Sequence, residues 1–182
     1  TGPGYGGSCF PKDTIALVKT AKDNNTPVSL VEETVRYNSL RKNEMVNKIK
    51  QVSGKIENKN IAILGLSFKP ETDDMREAPS IEIIKHLYSK GASINAYDPK
   101  AVHEAKHYLK DIPVNYFDNK NDVLNQVDAL ILITEWKEFR SPDFATVKSL
   151  MKGNVIIDGR NQFLIEQLDN YNLKYYQIGK EI

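Results

Sequence analysis

The sequence has only one cysteine among its 182 residues, so no disulfide can form within the chain and a reducing compartment is expected. Neither sign of charge is in excess: the formal net charge is +1, which offers no global field to attract nucleic acid or a membrane surface. Long hydrophobic runs are also lacking, since stretches such as ALILI are far shorter than the roughly 20 residues that span a bilayer. We therefore expect a cytoplasmic protein that binds neither nucleic acid nor membrane.

The composition that remains is ordinary for a globular domain, with 40% apolar and 27% charged residues. The chain begins at Thr1, directly in a glycine-rich loop. A domain rarely opens with a tight loop that nothing before it braces. We therefore expect a further N-terminal part of the protein to precede this chain.

Helical patterns dominate the first part of the chain. A short helix follows the glycine-rich loop, with Asp13 or Thr14 as its N-cap. Thr26 then resembles a second N-cap with Pro27 at the first helical position. From there the apolar spacing predicts a long helix over 27–53, in which roughly 26 helical residues at a rise of 1.5 Å per residue give a length of about 39 Å. Two compatible interpretations remain open: a core helix of another domain, or an interdomain helix that also packs against a second subunit.

Strands alternate with helices in the rest of the chain. This alternation is typical of an α/β fold with a doubly wound, parallel, Rossmann-like sheet, here preceded by the long central helix. Such sheets bind ligands beyond the carboxyl ends of their strands. The predicted strands are 59–66, 92–97, 129–134 and 154–158, with short additional ones at PVNYF and YYQIG. The predicted division is 1–26 for the cysteine loop and short helix, 27–53 for the long helix, and 54–182 for the sheet domain.

The loop after the first strand lacks the dinucleotide fingerprint. It reads GLSFKPETDD rather than G-x-G-x-x-G, so its backbone is not expected to cradle a pyrophosphate. Phe68 and Lys69 instead place an aromatic ring and a cation at the edge of the sheet, which suits a phosphate joined to a flat ring. Asp98 ends the second strand, where a ribose-binding acid is often found. Without the glycines, we interpret it as part of an Asp-Pro turn.

Two arginines also follow strands or precede a helix at this edge. Arg76 lies in DDMREAP, and Arg160 comes directly after the VIID strand. Arginine binds phosphate or carboxylate with two parallel hydrogen bonds. The alternative is a surface ion pair with a nearby acid, which is the usual role of a single arginine, and spacing alone leaves the choice open.

Cys9 is the residue whose sequence surroundings indicate a chemical role most clearly. It lies a few residues before a helix and near Lys12, and both features favour a thiolate. The surrounding glycines allow a substrate to approach the backbone closely. A lone cysteine is usually a small buried apolar residue, but the flanking GGS and PKD make a dry core site a poor fit. We therefore interpret Cys9 as a nucleophile.

Other polar residues have plainer interpretations. Asp13 is a helix cap or a partner of the cysteine or of a hydrolytic water, and both roles are compatible. His103 and His107 have a spacing that metal sites use, but no third ligand is evident nearby. We predict no metal site.

Several motifs in order carry a resemblance to a known family. GPGYGGSCFPKDTIAL and ILGLSFKPETDDMREAPS, followed by YDP, ITEW and IIDGRN, resemble the UDP-glucose/GDP-mannose dehydrogenase family, above all its UDP-glucose 6-dehydrogenases, over essentially the whole chain. The resemblance implies the C-terminal half of such an enzyme, with the N-terminal NAD domain missing from this chain. It also implies that NAD is the cofactor, UDP-glucose is the substrate, and the long helix builds a homodimer.

The resemblance further implies roles for individual residues. Cys9 would capture the aldehyde as a thiohemiacetal, and hydride loss would give a thioester that water cleaves. Asp13 would assist proton movement or activate the water. The implied substrate-binding residues are Tyr5, Gly6, Phe68, Lys69 and Arg160, and the implied cofactor-binding residues are Lys12 and Arg76.

Three alternatives remain open at this point. Relatives that act on UDP-N-acetylmannosamine or GDP-mannose share the G-G-S-C-x-P-K-D core, so the sugar is not decided. A non-catalytic module for nucleotide-sugar binding or dimerisation is a second possibility, because this half is expected to be inactive alone. An unrelated thiol hydrolase is a third and would need a histidine beside Cys9.

Overall fold

The computed structural model of the chain describes residues 2–164 and 168–180. Within these residues, five α-helices and six β-strands follow one another along the chain. The helices are α1 (Phe10–Asp23), α2 (Ser29–Ser53), α3 (Pro79–Ser89), α4 (Val102–Tyr108) and α5 (Phe144–Leu150). The strands are β1 (Asn60–Leu64), β2 (Ser93–Tyr97), β3 (Val114–Tyr116), β4 (Ala129–Leu132), β5 (Val155–Asp158) and β6 (Lys174–Gln177).

The strands form one sheet in the order β3-β2-β1-β4-β5-β6, and every neighbouring pair is parallel. Parallel neighbours need crossover connections, which include α3 between β1 and β2 and α5 between β4 and β5. The strand order reverses between β1 and β4, where Leu64 is in register with Leu132. The predicted doubly wound α/β fold is therefore confirmed, and its ligand crevice lies beyond the carboxyl ends of β1 and β4.

Two apolar layers enclose the sheet, because successive side chains of a strand point to opposite faces. On one face, Ile63 of β1 packs in a cluster with residues of α2 and α3. On the other face, Leu64 packs in a cluster with residues of α5 and with Trp136 and Phe139. Burial on both faces fixes the end of β1, and with it the start of the loop that follows.

The long helix ends where predicted but begins later. It spans Ser29–Ser53 and stops at Gly54, whose φ of 66° suits glycine. The predicted N-cap at Thr26 is wrong, since the cap position is Val28. The Thr26 hydroxyl donates to the carbonyl of Asn24 at 3.2 Å. Because Thr26 is used in the turn that closes α1, α2 starts two residues beyond the predicted boundary at 27.

Only the second half of α2 packs on the sheet domain. Met45, Val46 and Ile49 are buried in the cluster that covers one face of the sheet. Full burial of a side chain such as Ile49 contributes about 1.5–3 kcal/mol to stability. The first half exposes Leu30, at 86%, and Tyr37. The helix is therefore anchored at its C-terminal end and presents apolar side chains at its N-terminal end.

The predicted start of α1 is wrong. Neither Asp13 nor Thr14 is the N-cap, because the helix spans Phe10–Asp23 and the cap residue is Cys9 itself. Pro11 lies in the first turn, where its fixed φ favours the helix. The Asp13 N–H already donates to the Cys9 carbonyl at 2.8 Å. The cysteine therefore lies at the positive end of a helix dipole rather than several residues before it.

Candidate functional site

A glycine-rich loop carries Cys9 to the start of α1. Residues 2–7 contain four glycines, and Cys9 is exposed. Its sulfur lies 3.5 Å from the Ser8 hydroxyl oxygen, and either atom could donate. In the described part of the chain, no histidine makes a hydrogen bond to this thiol, so a Cys-His hydrolase pair has no support.

The loop lies directly against the strand-end residues predicted from sequence. Gly7 has φ of +95°, and a Cβ added there would lie 2.8 Å from the Phe68 ring. A Cβ on Gly2 would lie 2.5 Å from Nη1 of Arg160. The Gly7 N–H donates to the Arg76 carbonyl at 2.7 Å. Glycine is required at position 7, where φ is positive and a side chain would clash with the Phe68 ring, whereas a side chain at position 2 would press on the Arg160 guanidinium.

The loop after β1 is held by a buried carboxylate. Asp98 is 2% exposed, and its Oδ2 accepts from the Leu66 N–H at 2.7 Å and from the Ser67 N–H at 3.1 Å. The same oxygen accepts from the Trp136 indole N–H at 3.1 Å. Its Oδ1 accepts from two backbone amides of the following turn, so the predicted Asp-Pro turn is present. The position where a dinucleotide pyrophosphate would contact loop amides is therefore occupied by a carboxylate of the protein.

Phe68 and Lys69 extend from this fixed loop. The Lys69 amine lies 5.3 Å from the centroid of the Phe68 ring, within the range of a cation–π contact. Lys69 is exposed and Phe68 is half-buried. The cation and the aromatic ring predicted from the sequence therefore do lie side by side at the edge of the sheet.

Arg160 is held more tightly than a surface arginine. Its side chain is 13% exposed and lies 2.8 Å from Oε2 of Glu135. Its single Nε hydrogen points to the Ile133 carbonyl at 2.6 Å, so the Glu135 contact is an ion pair rather than a hydrogen bond. Burial lowers the pKa of Arg160, while the charges of Glu135 and Asp158 act in the opposite direction. This leaves the Nη groups as the donors that face the loop at Gly2.

Asp158 organises the turn that carries Arg160, much as Asp98 organises the loop after β1. It is fully buried and accepts from the Arg160 N–H at 2.8 Å and from the Gln162 N–H at 2.6 Å. The Tyr175 hydroxyl donates to it at 2.8 Å. Burial, followed by the charge of Asp158, raises the pKa of Tyr175.

Arg76 makes the surface ion pair that was the alternative interpretation. Its side chain is 59% exposed, and it donates to both carboxylate oxygens of Asp74, at 2.9 and 2.8 Å. These hydrogen bonds lower the pKa of Asp74 and raise the pKa of Arg76. Electrostatic interactions with Tyr108 and then with Cys9 also act to raise the pKa of Arg76, as smaller effects. Arg76 therefore lies within electrostatic reach of the cysteine while remaining open to solvent.

The other predicted site residues lie on or next to the loop. Lys12 and Asp13 form an exposed ion pair at 3.4 Å. The Tyr5 ring packs edge-on against Phe10, with centroids 4.7 Å apart. Gly6 is buried and its Cα approaches the Glu77 carbonyl so closely that a Cβ would clash. The structure thus gathers the predicted catalytic and binding residues around one loop.

Four residues near this site were missed by sequence reasoning. Asp98 as a buried acceptor and Glu135 as the partner of Arg160 depend on contacts across the sheet. Asn38 and Lys42 of α2 contact the loop or the segment beneath it. Asn38 and Lys42 are polar residues one turn apart within the apolar pattern of the long helix, and this spacing was the sequence feature that could have indicated them.

Neither a metal-ligand cluster nor a membrane-spanning helix occurs among the described residues. Across residues 2–164 and 168–180, no group of three His, Cys, Asp or Glu side chains is placed to hold a metal ion. His103 is exposed and lies 3.5 Å from Glu104. In the same ranges, no helix has the length and apolar content that crossing a bilayer requires.

The family follows from comparison with known proteins. Residues 62–164 match the UDP binding domain of the UDP-glucose/GDP-mannose dehydrogenase family, and residues 1–40 match its central domain. The chain belongs to this family. The first match alone covers more than half of the chain, so the resemblance in the ordered motifs is confirmed.

Named members of the family resemble the chain along nearly its whole length. The chain is 44% identical over 180 residues to a UDP-glucose 6-dehydrogenase of Rhizobium meliloti (strain 1021), covering 98% of this chain and 41% of that relative. A UDP-glucose dehydrogenase from Pyrobaculum islandicum has a solved structure with a TM-score of 0.82 and 30% identity, over 97% of this chain and 38% of that one.

A second solved structure comes from a family member with a different named substrate. The NDP-N-acetyl-D-galactosaminuronic acid dehydrogenase from Methanosarcina mazei Go1 has a TM-score of 0.84 and 25% identity, over 99% of this chain and 39% of that one. The chain therefore spans about 40% of the length of the family members it matches.

Proposed function

We propose that the chain is the C-terminal part of an NAD-dependent UDP-glucose 6-dehydrogenase, which oxidises UDP-glucose to UDP-glucuronate. In this proposal, residues 1–26 form the catalytic loop and first helix, 27–53 the dimerisation helix, and 54–182 the UDP-binding domain. The observation that carries it is the packing of the Cys9 loop on Phe68 and Arg160. One site can then hold the nucleotide and present its sugar to the thiol. A single cysteine suits the cytoplasm as its compartment.

Cys9 is the nucleophile in this proposal. Its sulfur adds to the C6 aldehyde and forms a thiohemiacetal, and the carbonyl oxygen takes up a proton. Loss of hydride from C6 and of the proton from its hydroxyl converts this adduct to a thioester, and water then adds to the carbonyl and displaces the sulfur to release the carboxylate and the thiol. Cys9 is the cap residue of a 14-residue helix, so the sulfur is carried at a fixed point of the fold. Asp13, one turn into α1, assists proton movement or activates the water.

Side chains rather than loop amides bind the UDP group. Asp98 already accepts from the Leu66 and Ser67 amides, so those amides are not free for phosphate. Lys69 and Arg160 supply cationic donors, and the Phe68 ring supplies an apolar face for the nucleotide. Tyr5 and Gly6 line the sugar end of the pocket, next to the cysteine.

The cofactor residues of this chain fit a binding site completed by another part of the enzyme. NAD, when bound there, would accept the two hydrides of the overall oxidation. Lys12 and Arg76 have side chains that are 74% and 59% exposed on the cysteine side of the sheet, so both can reach an anionic group held outside this chain. Their role here is to bind and orient that group by charge.

Two alternative functions are each favoured by a specific observation. The structural similarity to the Methanosarcina mazei enzyme favours another nucleotide sugar as the alternative substrate. UDP-N-acetylmannosamine and GDP-mannose are the candidates, because relatives that act on them share the G-G-S-C-x-P-K-D core with this chain. A non-catalytic nucleotide-sugar-binding module is the second candidate, because the chain is about 40% of the length of its relatives.

A homodimer through α2 is also part of the proposal. The N-terminal half of the helix exposes Leu30, Tyr37 and Leu40. Leu30 and Tyr37, together with polar side chains of the same helix and with Gly4 and Tyr5, line an open groove of about 480 Å³. Apolar patches of this kind on a long helix favour a second copy of the same helix as the partner.

The direct test is calorimetry of the 182-residue chain with UDP. We expect binding, and no NAD reduction with UDP-glucose. Lys69→Met should weaken UDP affinity about tenfold or more by removing a charge-assisted contact. Lys90→Met is the matched control, because Lys90 is exposed at the far end of α3, and its affinity should equal that of wild type. Absence of heat up to millimolar UDP would contradict a self-sufficient UDP pocket in this chain.

A further inference from the structure

Asn38 of α2 pairs with the backbone of the Cys9 loop. The Tyr5 N–H donates to Oδ1 of Asn38 at 2.7 Å, and Nδ2 of Asn38 donates to the Tyr5 carbonyl at 3.1 Å. One side-chain amide thus satisfies both backbone groups of a loop residue, as a neighbouring strand would. The contact lies four residues before the cysteine.

Lys42, one helical turn further along α2, holds the segment beneath the loop. Its side chain is only 10% exposed and lies 3.7 Å from Oε2 of Glu77, and its amine donates to the Glu77 carbonyl at 3.2 Å. A Cβ on Gly4 would lie 3.1 Å from Cγ of Lys42, so the lysine stem also packs on the loop. Burial of an ammonium group is costly unless it is paired. The contacts with Glu77 therefore stabilise the buried amine of Lys42 and fix its position.

These contacts form a closed set around the loop. Asn38 bonds to the backbone of Tyr5, and Lys42 bonds to the carbonyl of Glu77. The backbone carbonyl of Arg76, the residue before Glu77, accepts from the Gly7 N–H at 2.7 Å. The loop itself is rich in glycine and has little intrinsic stiffness. Its position over the nucleotide-binding residues therefore depends on partners outside it.

We propose that Asn38 and Lys42 are positioning residues, which hold the loop carrying Cys9 against Phe68 and Arg160. They act on the loop backbone and do not touch the reacting atoms. The consequence for catalysis rests on the proposed function, whereas the placement of the loop does not.

The test is hydrogen exchange of single amides, detected by NMR in the 182-residue chain. Asn38→Asp keeps the shape and one acceptor but replaces the donor with an oxygen that faces the Tyr5 carbonyl. We expect the Gly7 amide to exchange about tenfold faster or more, because the loop opens locally. The Gly65 and Ile133 amides, bonded within the sheet region at 2.9 Å each, should change less than about twofold. Gly7 makes no bond to Asn38, so its exchange reports the position of the whole loop.

Two further variants complete the experiment. Asn43→Asp puts the same charge on an exposed position of α2 and should leave Gly7 exchange at the wild-type rate. Lys42→Met keeps the aliphatic stem that packs on Gly4 but removes the hydrogen-bond donor. It should also speed the exchange of the Gly7 amide. This variant tests the inference if Asn38→Asp does not fold. Unchanged Gly7 exchange in the folded variants, or an equal rise at Gly65, would overturn the inference.

An activity measurement separates this inference from the proposed function. In the full-length dehydrogenase, Asn38→Asp should lower kcat about tenfold while KM for the nucleotide sugar changes less than about threefold, since a displaced nucleophile affects the transition state. An unchanged kcat together with a loosened loop would overturn the catalytic part of the inference. Failure of the wild-type chain to bind UDP would contradict the proposed function and leave the exchange result intact.

Discussion

Two buried carboxylates organise the residues of the candidate site. Asp98 follows β2 and Asp158 ends β5, and each accepts hydrogen bonds from backbone amides of a loop that carries a predicted ligand residue. Charge-assisted bonds of this kind are stronger than neutral ones. These bonds hold the backbones of the two loops in place, and none of them uses the side chain of Lys69 or Arg160.

Replacement of Asp98 by Asn should destabilise the fold of the chain. The carboxylate accepts from donors on both of its oxygens, and an amide must direct its own NH₂ group at some of those donors. We expect Asp98→Asn to lower the free energy of unfolding by about 2–4 kcal/mol, measured by urea denaturation. The control Asp111→Asn changes an exposed residue and should cost less than about 0.5 kcal/mol. Equal denaturation midpoints for the two variants would contradict this role of Asp98.

Sequence reasoning at this scale found residues by type and by their place at strand ends. Cys9, Lys69 and Arg160 are recognisable in that way, because the chemistry they bring is carried by the residue itself. Asp98 was interpreted only as a turn residue, since its main partners come from other parts of the chain. Asn38 was missed for the same reason.

Among the secondary-structure elements, the amino ends of β1 and β4 are joined by Asp128. Its Oδ2 accepts from the Asn60 N–H at 2.9 Å, and its Oδ1 accepts from the Lys59 amine at 3.2 Å. Burial acts to raise the pKa of Asp128, but these bonds outweigh it, and the net pKa is lowered. The stabilising contribution is therefore complete above the ordinary aspartate pKa of about 3.9 and is lost as the pH falls through the lower pKa of the folded state.

This pH dependence gives a second prediction. At pH 7, Asp128→Asn should lower the free energy of unfolding by about 1 kcal/mol. The difference from wild type should shrink as the pH falls below about 4, because wild-type Asp128 is then protonated as well. Denaturant titrations at pH 7, 4 and 2.5 would measure it. A difference that stays constant over this range would show that the charge of Asp128 has no part in the effect.

The exposed half of α2 makes a prediction about assembly. If α2 pairs with a second copy of itself, wild type should sediment as a dimer, and Leu30→Glu or Tyr37→Glu should shift it to monomer by placing charges in an apolar interface. Ser39→Glu is the control, because Ser39 is exposed and lies about half a turn around the helix from Leu30 at 3.6 residues per turn. A wild-type monomer at high concentration, or loss of the dimer in the control alone, would argue against pairing through this face.

The strands were more predictable than the helix starts. Buried runs such as 129–134 are long and apolar because a parallel sheet is covered on both faces, so their pattern identifies the fold. Helix starts depend on one or two local bonds. Thr26 and Asp13 resemble caps in sequence, yet Val28 and Cys9 occupy the cap positions.

For the molecule as a whole, the glycine-rich loop joins two functions. It carries the proposed nucleophile at the start of α1 and rests on the residues proposed to bind UDP, with Gly2 against Arg160 and Gly7 against Phe68. The family could be inferred from ordered motifs, because they span the chain. The contact between the loop and these residues could not, since residues about 60 and 160 positions apart meet only in the folded chain.

The most direct test of the account is the activity of the full-length enzyme with Cys9 replaced by alanine. UDP-glucuronate formation should fall by about a thousandfold or more, because the thioester that leads to the acid cannot form. UDP affinity and thermal stability should stay at wild-type values, which would show that only the chemistry is lost. UDP-glucuronate formation at the wild-type rate would contradict the claim that the substrate becomes covalently attached to Cys9.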